Sequence, residues 1–194
     1  KSQEELEMLA RKKVKHLYLG IESGLDDVLK FMKKDHDLAQ AYQAIDRLHE
    51  AGLIYDAHIM TGVAGKGRGM ENAEALAQFL NRTNPAHVVN FSMFLHKEVP
   101  LYQDIRQGTF VPADELETIR EEYHLIERIA PEKAGANILY DGFHDFIHVR
   151  VRGHLPGDKE KMLAKLNGII QEYEGKEPVY SFVQGECPDL EYCD

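Results

Sequence analysis

The sequence predicts an α/β fold of parallel βα units, and two observations carry that prediction. Short apolar runs centred near residues 19, 58 and 90 read as buried strands, each separated from the next by helical periodicity. Connections of that length suit crossovers between parallel strands, in a sheet either open or closed. A composition of 43% hydrophobic and 29% charged residues fits a globular domain.

Each element has its own justification. Ser2 and Glu5 make a capping box ahead of Leu6, Leu9 and Ala10, so the chain opens on a helix. "VKHLYLGIESG" closes on Gly24 and predicts a strand over 15–22, followed by a short helix over 26–33. Asp37 caps the next helix, with Leu38, Ala41, Ile45 and Leu48 on one face and Gly52 as its stop. "LIYDAHIMTG" is the second strand, ended by Gly62, and "HVVNFSMFL" is the third. Between them Ala73, Leu76, Ala77 and Leu80 mark an amphipathic helix. A longer helix after Pro112 is expected to turn Leu116, Ile119, Tyr123 and Ile126 inward. "ANILYDGFHDFIHVRVRG" reads as an extended segment or a hairpin turned at Asp141-Gly142. Pro156-Gly157-Asp158 starts a last helix, carrying Met162, Leu163, Leu166, Ile169, Ile170 and Tyr173.

The bulk properties narrow the functional classes. The 194 residues suffice for one domain with a full core. Acidic residues number 33 against 23 basic, a net charge of −10, which gives no general attraction to nucleic acid or anionic membranes. No apolar run approaches the roughly 20 residues of a membrane span, and the start does not resemble a signal peptide. Cys187 and Cys193 both lie in the last eight residues, so reduced, cytoplasmic conditions fit and the two read as free thiols. Three βα units are few beside the eight strands of a barrel or the five or six of an open sheet. With Lys1 as the first residue, the expectation is the second half of a larger domain. The expected boundaries are 1–110 for the barrel portion, 111–173 for a helical and extended extension, and 174–194 for a loose tail.

Ligands of parallel sheets gather at the carboxyl ends of the strands. Glu22 and Ser23 end the first strand, and a carboxylate there can accept from sugar hydroxyls, act as a base, cap a helix or pair with a lysine. On the second strand Asp56, His58 and Met60 share one face, Ala57, Ile59 and Thr61 the other. Asn90 and Ser92, on one face of the third, need backbone, water or ligand as partners. "GVAGKGRG" invites a phosphate-loop reading, but neither a Walker loop nor a dinucleotide fingerprint fits its spacing, and a mobile surface loop is expected. His144 and His148, with His154 nearby, could share a strand face, and solvated or hydrogen-bonded histidines are expected there rather than zinc.

The words of the sequence carry a further likeness. "YLGIESGLDDVLKFMKKDHDLAQAYQAIDRLHEAGLIYDAHIMTGVAG" resembles the second half of the radical S-adenosylmethionine (radical SAM) enzymes. There a strand ending in G-[IV]-[EQ]-S-G leads to a short helix, a basic residue, a helix ending in "aGi", and a strand closing on a glycine turn. "FLHKEVPLY", "ELETIREEYHLIERI" and "RGHLPGDKEKML" are similar to downstream parts of bacterial members, so the likeness covers about residues 14–170. It implies a partial TIM-like barrel and, in the complete enzyme, reductive cleavage of S-adenosylmethionine at a [4Fe–4S] cluster to a 5′-deoxyadenosyl radical. Glu22, with Ser23 beside it, matches the strand end that meets the ribose, and Lys34 a basic residue that binds the methionyl carboxylate. His58 falls where some members place a ribose-binding aspartate, Gly62 opens the glycine turn, and Asn90, Ser92 and Met93 lie where adenine is met. The C-x-x-x-C-x-x-C cluster motif and the Gly-Gly-Glu-type strand are absent, and Ala64 replaces the usual proline.

The expectation is therefore the carboxyl-terminal portion of a radical SAM enzyme, inactive alone, lacking metal ligands and identifiable catalytic residues of its own. Its expected partners are S-adenosylmethionine, an unidentified substrate and the missing half of its barrel, with self-association through uncovered strands. The alternatives are a cofactor-free half-barrel binding module and a histidine-based metal hydrolase.

Overall fold

The computed structural model describes residues 1–182. Helix α1 (Gln3–Arg11) leads into β1 (His16–Glu22), α2 (Asp26–Phe31), α3 (Leu38–Glu50) and β2 (Ile54–Thr61). Next come α4 (Gly69–Thr83), β3 (His87–Ser92), α5 (Pro100–Arg106), α6 (Glu115–Arg128) and β4 (Ile138–His144). A single 3-10 turn, β5 (Val149–Leu155) and α7 (Lys159–Tyr173) complete it. The capping boxes form as the sequence predicts: the Ser2 hydroxyl accepts from the Glu5 amide at 3.2 Å and the Asp37 carboxylate from the Gln40 amide at 2.8 Å.

The five strands lie in the order β1-β2-β3-β4-β5. The first four are parallel and β5 closes the far edge antiparallel to β4. Every strand pairs with its neighbours in sequence, the winding of a barrel rather than of a sheet with a switch point. β1 pairs with β2 alone, so one edge of the sheet is unpaired among the described residues.

The two faces differ. Tyr55, Ala57 and Ile59 of β2, Val88 of β3, Ile138 and Tyr140 of β4, and Val151 and Leu155 of β5 join α3, α4, α6 and α7 in the main core. Of the two faces anticipated for β2, that of Ala57, Ile59 and Thr61 meets the helices. The opposite face carries Tyr18, His58, Phe91, Phe143, Arg150 and Arg152; Tyr18 is half-exposed on it. A smaller cluster of Val28, Val63, Met93, Leu95, Phe110 and Phe182 caps the strand ends.

Two expectations are corrected. The hairpin does not turn at Asp141-Gly142: both lie inside β4, and the chain reverses over Asp145–His148. Gly142 is a packing glycine, since a Cβ there would fall 1.8 Å from Glu122 Oε1. The inward face of α6 is also different. Ile119 and Ile126 are buried, but Glu115, Thr118, Glu121 and Glu122 are buried with them, whereas Leu116 and Tyr123 are only partly so. The stretch 179–182 is tied down, with the Leu95 amide donating to Ser181 O at 2.7 Å and the Glu115 amide to Val179 O at 2.8 Å. Cys187 and Cys193 lie outside the described residues.

Candidate functional site

The end of β1 is the most unusual backbone in the strand-end region. The ladder with β2 shifts between Gly20 and Glu22, and Glu22 has φ +62°, a left-handed conformation uncommon outside glycine. The kink folds the Glu22 carboxylate back over Gly20, where a Cβ would sit 2.5 Å from Oε1. Lys34, just past α2, donates to Glu22 Oε1 at 3.2 Å, and both side chains keep a quarter to a third of their surface exposed. His58 stands on the same face, in register with Gly20. Its ring packs 5.1 Å from Tyr18 and 6.0 Å from Phe91. Glu22, Lys34 and His58 thus gather on the open face.

Four other predicted residues turn away from that face. Ser23 donates to Asn72 Oδ1 at 2.7 Å, and the Gly62 amide donates to Glu121 Oε2 at 2.8 Å. Asn90 donates to Glu122 Oε1 at 3.1 Å and accepts the Thr61 amide at 3.1 Å. Ser92 donates to Glu115 Oε1 at 3.0 Å. The partners that Asn90 and Ser92 needed are therefore side chains of α6. Met93 lies in the apolar cap, its amide donating to Thr61 O at 2.9 Å.

The α6 carboxylates build a buried network that sequence reasoning missed. His144 lies between Glu115 Oε2 (3.0 Å from Nδ1) and Glu122 Oε2 (3.1 Å from Nε2). With a carboxylate at each ring nitrogen, both nitrogens donate, so the ring is an imidazolium. Burial opposes that charge, but the bonds to Glu115 and Glu122 outweigh it and lift His144 to about 9. Tyr140 donates to Glu122 Oε1 at 3.0 Å, and the Ser181 hydroxyl donates to Glu115. Burial pushes the Glu121 carboxyl up to about 7, against the hydrogen bonds from Asn72 and Gly62 that favour its ionised form. The network ties the ends of β1 to β4 onto one helix.

A second polar group lies lower on the open face. His16 Nδ1 is 2.7 Å from Asp56 Oδ2, and Tyr18 Oη is 3.0 Å from His87 Nδ1. Asp56 is wholly buried and its Oδ1 has no partner among the described residues. The alternation of β2 had placed Asp56 beside His58; nothing local marked its partner His16 on β1.

Other sequence motifs resolve differently. The "GVAGKGRG" turn is packed, with Val63, Ala64 and Gly65 buried. Its amides are used internally: Gly65 donates to Gly62 O, Lys66 to Val111 O, and Gly67 to Glu117. Amides so occupied do not cradle a phosphate. His144 is buried, whereas His148 sits exposed in the β4–β5 turn and His154 on the open face of β5, so the three do not converge. Among the described residues no three His, Cys, Asp or Glu side chains are grouped to hold a metal, and no helix is long and apolar enough to cross a membrane.

Comparison with known proteins adds three findings. The sequence profile of the Radical SAM superfamily matches residues 1–80. A tRNA uridine(34) acetyltransferase of Methanocaldococcus infernus is 25% identical over 119 residues, which cover 61% of this chain and 22% of that protein. The chain is also similar in fold to the solved structure of the archaeal Methanocaldococcus infernus Elp3 with N-terminus deletion (1–46). The TM-score is 0.61 at 18% identity, over 88% of this chain and 39% of the other. The chain thus spans well under half the length of either.

Proposed function

We propose that the chain, whose residues 1–80 match the Radical SAM superfamily profile, forms the carboxyl-terminal wall of a radical SAM barrel and one side of its S-adenosylmethionine site. The observation that carries this reading is the Glu22–Lys34 pair at the kinked end of β1, on the face without helices. Strand-order winding, a bare face and an unpaired β1 edge are what half a barrel presents.

The polar groups fit S-adenosylmethionine. Glu22 would accept from ribose hydroxyls with the carboxylate oxygen Lys34 leaves free, and Lys34 would meet the methionyl carboxylate. His58 would bond the ribose from the neighbouring strand, and Met93 with the backbone of β3 would face adenine. Ser23, Gly62, Asn90 and Ser92 would serve by holding the strand ends, since their hydrogen bonds run inward. Bound, S-adenosylmethionine supplies the radical chemistry of the superfamily. A [4Fe–4S] cluster does not fit this chain. The motif needs three cysteines where the sequence has two, neither among the described residues. Its ligands belong, on this reading, to another part of the enzyme, without which the segment is inactive.

The curated relative is named for a tRNA uridine, but 22% of its length is shared and the formal charge here is −10. That balance favours a substrate without a phosphate backbone. In the complete enzyme, Glu22→Ala is expected to weaken S-adenosylmethionine binding about tenfold or more, the worth of a charge-assisted hydrogen bond, with cluster iron unchanged. Equal affinity, measured by equilibrium dialysis, would remove Glu22 from the site.

A further inference from the structure

We infer that Glu121 and Asn72 act as one positioning relay that locks the turn after β2 to the turn after β1. What the turns serve rests on the S-adenosylmethionine reading above; the relay itself rests on geometry. Glu121 Oε2 accepts the Gly62 amide at 2.8 Å, and Oε1 accepts Asn72 Nδ2–H at 2.7 Å. Asn72 Oδ1 in turn accepts the Ser23 hydroxyl at 2.7 Å and the Gly24 amide at 3.2 Å. Both relay side chains are buried to within 1% of complete.

The polarity of this chain is fixed at its far end. A backbone N–H can only donate, so Gly24 requires the oxygen of Asn72, and the Asn72 NH₂ must then face Glu121. Glu121 meets two donors, and only a carboxylate satisfies both. A proton or an amide at residue 121 forces one donor against another and leaves a buried group unpaired. Neither Glu121 nor Asn72 reaches the open face, so the relay acts on the site only through the two turns. The charged and titratable groups around Glu121 are Glu117 and Glu122 on its own helix and His144 and Tyr140 on β4. Burial keeps its carboxyl near neutrality, so the relay is open to protonation in the ordinary pH range.

Cross-effects on amide hydrogen exchange test the relay. Glu121→Gln is expected to speed exchange at Gly24, two hydrogen bonds away, by about tenfold, and Asn72→Ala to do the same at Gly62. If each substitution loosens only the amide it touches directly, the relay is overturned. Should Glu121→Gln not fold, the unsubstituted chain decides the matter. Protection at Gly24 and Gly62, corrected for intrinsic exchange, changes together as pH passes through about 7, and independent or flat profiles overturn it. In the complete enzyme, S-adenosylmethionine affinity is expected to fall over the same pH range and to lose that dependence in Glu121→Gln. Cross-effects with unaltered affinity would overturn the positioning role. An unsubstituted enzyme that binds no S-adenosylmethionine would instead sink the reading of the preceding section.

Discussion

The two faces of the sheet solve opposite problems. On the helix side three glutamates and a histidine are buried, and Glu115, Glu121 and Glu122 each hold at least two hydrogen bonds. On the open side, aromatic rings and ion pairs sit half in solvent, and Asp56 Oδ1 is buried without a partner among the described residues. The fully bonded carboxylates make the first face rigid and intolerant, although Thr61 Oγ1 there has no hydrogen-bond partner among the described residues; partial exposure leaves the second face free to accept other groups. Buried support and open polar groups are thus divided between the two sides of the same strands.

Substitution is the most direct way to break that contrast. His144→Ala strands Glu115 and Glu122 without their cation, at an expected cost of about 3–5 kcal/mol in urea unfolding. His58→Ala, two strands over on the open face, is expected to cost about 1 kcal/mol or less. Equal losses would erase the distinction. Acidity probes the same face. Glu121 binds its proton more tightly folded than unfolded, so its contribution is full at low pH and lost between the ordinary carboxyl value and about 7. His144 is also raised by folding, and its contribution is lost as pH climbs from 6.5 through about 9. Unfolding free energies from urea titration should therefore fall from pH 6 to pH 9, by roughly 1 kcal/mol per pH unit where one group titrates. A rise over that interval would contradict the imidazolium assignment.

Weaker effects belong to the open side. Its unpaired β1 edge is expected to make the concentrated chain self-associate, and sedimentation showing a monomer at every concentration would argue that the edge is protected. Smallest is Tyr18→Phe, which removes the bond to His87 and should cost about 0.5–1 kcal/mol. A larger loss would mean that the open face is more tightly knit than its exposure suggests.

What the sequence disclosed follows the same division. The strands and helices of the first 95 residues were legible because burial there is apolar and periodic, as at Ala57 and Ile59 or Ala41, Ile45 and Leu48. Ser2 and Asp37 announced their helices through purely local chemistry. α6 was legible as a helix but not in its orientation, because hydropathy assigns Glu115, Glu121 and Glu122 to solvent. Their partners Asn72, Asn90, Ser92 and His144 stand on three other elements, so only the fold brings them together. Asp141-Gly142 misled for a related reason: the glycine makes room for Glu122 rather than reversing the chain. Of the candidate site, Glu22, Lys34 and His58 were placed by the family words and converge on the open face. The inward bonding of Ser23, Gly62, Asn90 and Ser92 had no local signal.

The simple strand order has a consequence for how the molecule comes into being. Because each strand joins the one before it, the growing chain can add one βα layer at a time as it leaves the ribosome. Each layer waits only for the next strand in sequence, which suits progressive assembly. The clamp that finishes the strand ends, α6, follows the first three strands in the chain. The turn at Gly62 therefore gains its buried acceptor, and the Gly24 turn the Glu121 carboxylate that anchors its acceptor Asn72, only after those three strands are synthesised, which places maturation of the strand ends late in assembly.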